Sequence, residues 1–195
     1  MKTFAIILTN LISLSTLGQS TKNDTCITNE NSETKVNKLT YPFNNVGKIL
    51  LVKYKFGTAS DKQNLNKWDT TGTGRILPKK GKIVDTTEYS SKFQLTDKGM
   101  DSLIKIINLS SVDNAAFEAI FGEPANAILF IDNKGKIIEY IIIGFGQFGN
   151  SINYTQMTSS AKINLGYWCS IKGQMLVEFF QKRGVEPVIL KSKPD

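Results

Sequence analysis

Two apolar, β-branched runs, Ala127–Ile131 and Lys136–Ile143, are separated only by Asp132-Asn133-Lys134-Gly135. No other feature constrains the fold of this chain as strongly. Asn and Gly supply the backbone conformations of a tight turn, so the two runs read as an antiparallel hairpin. In the second run Ile138, Tyr140 and Ile142 fall on one face of a strand. Ile137, Ile141 and Ile143 fall on the other, broken only by Glu139. A run that is apolar on both faces belongs in the middle of a sheet, covered on both sides.

Partners for this hairpin are legible on either side of it. Val46–Phe56 is a strand in which Val52, Tyr54 and Phe56 alternate with Lys53 and Lys55. Thr58–Lys80 is a long polar connection carrying Trp68, Gly72, Gly74 and Pro78, of a length that marks a functional or a loosely ordered loop. Lys82–Leu95 is a second strand region, with Ile83, Thr87, Tyr89, Phe93 and Leu95 assigned to one face. Thr96 has the chemistry of an N-cap, and Met100, Leu103, Ile104 and Ile107 recur at helical spacing behind it. Val112–Phe121 reads as a short second helix ended by Gly122 and Pro124. Trp168–Lys182 reads as the last helix, with Trp168, Ile171, Met175, Phe179 and Phe180 on one stripe and Gly184 at the C-cap. The expected class is α+β, an antiparallel sheet of about four to six strands packed by two or three helices.

Met1-Lys2, the apolar stretch that follows and the small residues to Gly18 have the order of a signal peptide, with cleavage expected before Gln19. The nearest cysteine, Cys26, follows Asn23-Asp24-Thr25 and lacks a lipoprotein context. Ile137–Ile143, the other long apolar stretch, is too short to span a bilayer, so no membrane span is expected in the mature chain. Gln19–Thr40 reads as a flexible polar tether, and residues 41–195 as a single domain. An exported, periplasmic or secreted protein permits its two cysteines, Cys26 and Cys169, to pair. The alternative is a buried free thiol at Cys169 and an unpaired Cys26 in the tether.

The net charge is +7, and of 24 basic residues only Arg75 and Arg183 are arginines. A lysine surface gives solubility and a weak attraction to anionic surfaces, without the bidentate forks that read bases. Specific nucleic-acid binding is therefore not expected.

Gly144-Phe145-Gly146-Gln147-Phe148-Gly149 spells G-x-G-x-x-G. A dinucleotide site needs a helix to open inside that loop and an acid about 20 residues on. Here a β-branched stretch follows and the next acid is Glu178, so the glycines read as a flexible loop at the end of the sheet, with Gly144, Gly146 and Gly149 as candidate ligand-lining positions. Gly-Lys at 47–48, 81–82 and 135–136 is followed each time by Ile, so the hydroxyl of a P-loop is missing. The chain has no histidine, which removes the Ser-His and Cys-His mechanisms and the commonest zinc ligand. No metal or other cofactor is expected. Glu139 is the candidate catalytic acid: buried, its pKa would rise; on a partly open face, it would be a solvated strand residue paired with a lysine. The sequons at Asn23, Asn108 and Asn153 are read as chance.

The stretch Pro124-x-Asn126-Ala127-Ile128-Leu129-Phe130-x-Asp132-x-x-Gly135-Lys136-x-Ile138-x-Tyr140-Ile141, with the terminal helix, resembles a group of small exported bacterial proteins of uncharacterised function. That resemblance implies export and a similar fold over the C-terminal half, and no activity. Those proteins carry cysteines before and after the hairpin, where this chain has Phe121 and the Gly144–Gly149 segment. The leading expectation is a non-catalytic exported module that binds a protein or cell-envelope partner, as an inhibitor or protective factor. The alternatives are a carboxylate-based hydrolase acting on cell-wall or polysaccharide substrates, and a carrier for a small apolar ligand.

Overall fold

A computed structural model describes residues 26–28, 36–55, 78–111, 125–148, 150–160, 162–163, 165, 169 and 171–191. Its strands are β1 (Cys26–Thr28), β2 (Lys48–Tyr54), β3 (Tyr89–Gln94), β4 (Leu109–Ser111), β5 (Asn126–Ile131), β6 (Ile137–Phe148), β7 (Ser151–Thr158) and β8 (Ile189–Lys191). Its α-helices are α1 (Asp97–Ile107) and α2 (Lys172–Gln181). The Val112–Phe121 helix, residues 58–77 of the long connection, and the Met1–Gly18 segment lie outside the described residues.

The central hairpin is there, and β6 is its organising strand. Along Ile137–Ile143 it pairs antiparallel with β5, and along Ile141–Phe148 it pairs antiparallel with β7. The six-stranded sheet runs β3-β2-β5-β6-β7, with β8 also paired to β6. That last pairing is parallel, Phe145 opposite Ile189, so the sheet is mixed where a purely antiparallel one was expected. The reason is topological: α2 carries the chain back after β7, and β8 then enters in the direction of β6. Asn126, fully buried, seals the junction where β5 and β8 both begin. Its Nδ2 donates to the Ile143 carbonyl and its Oδ1 accepts from the Val188 amide.

Both faces of β2, β5 and β6 are buried, as the two-sided hairpin requires. Ile49, Leu51, Ile128, Phe130, Ile141, Ile143 and Phe145 face the helix layer and pack with Leu103, Ile107, Leu176 and Phe180. Phe43 meets Phe130 edge to face at 5.3 Å. Leu50, Val52, Tyr54, Tyr89, Ala127, Leu129, Ile131 and Ile142 form a second cluster on the opposite face.

Local rules set the element ends. Thr96 caps α1 by accepting the Gly99 amide on Oγ1. The strand region expected over Lys82–Leu95 is shorter than its pattern: Ile83 makes only an isolated bridge to Lys136 and is 71% exposed, and Thr86–Glu88 is a 3₁₀ turn. Tyr89 and Phe93, four residues apart, lie on opposite faces of the sheet. The cause is a bulge: Lys53 faces Ser91 while Tyr54 faces Tyr89, which leaves Ser90 as the extra residue and reverses the alternation. The final helix starts at Lys172, four residues later than its pattern begins, and Trp168 lies outside the described residues. Within the stretch read as a flexible tether, Cys26–Thr28 is strand β1, paired antiparallel with β4.

Candidate functional site

Cys26 and Cys169 are joined in a disulfide across a sequence separation of 143, with Cα atoms 5.4 Å apart. The bridge fixes β1 to the segment that leads into α2. Beside it lies a group the sequence reading missed. Lys172, fully buried at the first position of α2, donates from Nζ to the carbonyls of Ile107 (3.1 Å), Leu109 (2.7 Å) and Leu165. An ammonium has three protons, and here they meet three carbonyls, one of them at the C-terminal end of the α1 dipole. Burial pushes the Lys172 amine down to about 7. Set between Ile171 and Met175 of the stripe, it carried no sequence signal distinguishing it from a surface lysine.

Glu139 is buried on the helix-facing side of β6, at 1% exposure. Its Oε1 accepts from Lys80 Nζ (2.7 Å), Tyr41 Oη (2.8 Å) and Ser160 Oγ (3.0 Å), and its Oε2 from Ser159 Oγ. Burial pushes the carboxyl pKa up, but the hydrogen bonds from Lys80, Ser159, Tyr41 and Ser160 outweigh it, and the net shift is down. The sequence expectations are corrected in part: Glu139 is buried and not solvated, it is paired with a lysine, Lys80, and its net pKa shift is down in spite of burial. Held ionised and saturated with donors, it is a strut joining the Tyr41 segment, the Lys80 segment and the end of β7. Desolvation, with the bond to Glu139 next, pushes the Tyr41 phenol up to about 12, which keeps it a donor.

The glycines of the G-x-G-x-x-G run are also placed differently from expectation. Gly144 and Gly146 sit inside β6, opposite Thr155 and Asn153 of β7, and Gly149 lies outside the described residues. The segment is a strand because Ser151–Thr158, β-branched and helix-poor, folds back as its partner. Of the sequon residues, Asn153 is buried, the Asn108 amide exchanges hydrogen bonds with Val36, and Asn23 lies outside the described residues.

What the fold does bring together are the three Gly-Lys-Ile triplets. Gly47 donates to the Ile131 carbonyl and Gly81 to the Ile137 carbonyl, while the Lys82 carbonyl accepts from the Ile137 amide and the Gly135 carbonyl from Val84. Gly47, Gly81 and Gly135 thus meet around the β5–β6 turn, at one end of the sheet. Gly81 and Gly135 hold φ of +77° and +80° there, conformations that glycine adopts without strain. Lys79, Lys82, Lys134, Lys136 and Lys162 are exposed at that end and Lys48 is half-exposed. Lys162 Nζ stands 5.7 Å from the centre of the Tyr41 ring.

The acids on the same segments are engaged in hydrogen bonds, Glu139 buried, Asp132 half-exposed and Asp85 exposed. Asp132 Oδ1 accepts from the Lys134 and Lys136 amides at 2.9 and 2.8 Å. Asp85 accepts from the amide and hydroxyl of Thr87, and Glu139 is buried. The result is an end of the sheet on which lysine ammonium groups outnumber accessible carboxylates, with Ile83 exposed among them. Among the described residues there is no group of His, Cys, Asp and Glu able to hold a metal ion, and no helix long and apolar enough to cross a membrane. No family model, curated protein or solved structure matches the chain.

Proposed function

We propose that this chain is a non-catalytic exported module that binds an anionic component of the cell envelope through the lysine-bearing end of its sheet. In this reading Met1–Gly18 is a signal peptide removed before Gln19, and the disulfide forms in the oxidising compartment the chain is sent to. The observation that carries the proposal is the convergence of three Gly-Lys-Ile triplets at the β5–β6 end, where Glu139 is buried and the lysines outnumber the accessible carboxylates of Asp85 and Asp132. Scattered surface lysines serve solubility; six on one end, outnumbering the accessible Asp85 and Asp132, create a directed field. The hydrolase alternative loses its named proton donor, since Glu139 is held in its charged form.

The test is sedimentation of the purified protein with its own envelope fraction. The wild type should bind at low salt and release as ionic strength rises. Combined Lys82→Glu, Lys134→Glu and Lys136→Glu should abolish binding without lowering the melting temperature. Wild-type protein that stays in the supernatant at low salt would overturn the proposal.

A further inference from the structure

Resting on that reading, we infer that the partner is the headgroup layer of an anionic phospholipid bilayer, met by the three Gly-Lys-Ile turns with Ile83 entering the acyl boundary. The charges are lysines from separate turns: Lys48 on β2, Lys79 and Lys82 beside the Gly81 turn, Lys134 and Lys136 on the hairpin, and Lys162 after β7. Lysine is a point charge on a flexible stem and does not grip one anion in a fixed fork. Point charges spread over one end of a sheet match many laterally mobile phosphates.

Ile83 discriminates between kinds of anionic partner. It is 71% exposed, stands next to Lys82 and is bridged to Lys136. Against a polysaccharide or another hydrated polyanion an exposed isoleucine contributes nothing. At a bilayer it passes below the headgroups while the surrounding lysine stems lie along the boundary with their ammonium groups in the phosphate layer. No described helix can cross a membrane, and this mode of attachment needs none. It is peripheral and reversible, driven by a basic patch plus one shallow apolar anchor.

The experiment is sedimentation of the purified, disulfide-intact protein with vesicles of phosphatidylcholine alone or mixed with phosphatidylglycerol. Binding is expected only to the phosphatidylglycerol vesicles. The triple reversal at Lys82, Lys134 and Lys136 should weaken it by roughly a hundredfold or more, from about fivefold for each lysine lost. Ile83→Ser, which leaves every charge in place, should weaken it by about tenfold. Lys98→Glu with Lys105→Glu, on the exposed side of α1, should retain most of it. Equal binding to both vesicle types, or an equal loss from the α1 pair, would overturn the inference. Envelope binding that persists while phosphatidylglycerol vesicles fail would also overturn it and leave the binding-module reading standing. Loss of envelope binding after protease treatment of the envelope would point to an acidic protein instead. Failure on both envelope and vesicles would remove both proposals.

Discussion

Lys172 Nζ lies 2.7 Å from the carbonyl oxygen of Leu109, in a fully buried position where the same ammonium also reaches Ile107 and Leu165. The contact joins α2 to β4, and β4 to the disulfide-anchored strand β1. The positive charge faces carbonyl dipoles, and its pKa is lowered by burial alone.

This arrangement fixes a sign for the pH dependence of stability. The Lys172 amine titrates near 7 in the fold and near 10.5 when exposed, so between those values the unfolded chain binds the extra proton. Unfolding free energy should therefore rise as pH increases from about 7 toward 10. Above pH 10 it should turn down, because burial holds the phenol of Tyr89 up to about 12 and the unfolded chain then loses protons first. Urea unfolding across this range checks it, and Lys172→Met should flatten the rising limb. At pH 9 the same variant should be less stable by about 2–3 kcal/mol, because carbonyls that had a partner are left bare.

Glu139 predicts the acid limb. Its folded pKa lies below the ordinary carboxylate value, so its contribution is present above that ordinary value and lost as pH falls through the folded one. Glu139→Ala should cost about 2–3 kcal/mol near neutral pH, since three hydroxyl donors lose their shared acceptor while the half-exposed Lys80 turns to water. Tyr41→Phe removes one of those bonds and should cost about 1 kcal/mol. Thermal and denaturant melts measure both, and a Glu139→Ala variant as stable as wild type would refute the strut.

The sequence made the hairpin, the helix behind Thr96, the last helix and the two-sided core legible because periodicity and turn chemistry act over a few residues. Thr96 declares its cap, and Asp132–Gly135 its turn. Long-range events stayed hidden. The bulge at Ser90 shifts Tyr89 to the opposite face with no compositional mark. The parallel entry of β8 depends on where α2 returns the chain. Glu139 showed as a lone charge in an apolar strand, but its donors lie 98, 59, 20 and 21 residues away, so neither its partners nor the direction of its pKa was readable. The three Gly-Lys-Ile triplets were visible in the sequence, and only the fold shows that they meet.

The disulfide should contribute stability through the unfolded state. A bridge across 143 residues removes chain entropy worth roughly 5 kcal/mol in the polymer model. Combined Cys26→Ser and Cys169→Ser should lower the unfolding free energy by about 2–5 kcal/mol, the range found for natural bridges. Reductant should do the same to wild type and nothing to the variant. Amide exchange should locate the loss first at β1 and β4, whose pairing is only three residues long.

Gly173 tests how closely α2 is seated on the sheet. A Cβ built there would stand 1.9 Å from the carbonyl oxygen of Ile152 and 2.8 Å from its carbon, so backbone would have to move. Alanine is the better helix former by about 1 kcal/mol, and on an isolated helix the change would stabilise. Here the contact is with β7 backbone, which cannot rotate away as a side chain would. Gly173→Ala should therefore destabilise, by about 1–3 kcal/mol as overpacked interiors do, and it should shift α2 away from β7. Backbone chemical-shift changes centred on Ile152, Asn153 and the first turn of α2 would show that displacement. A variant equal to or more stable than wild type would mean that α2 does not lie against β7 at this distance, and the seating of Lys172 one residue before it would fall with it.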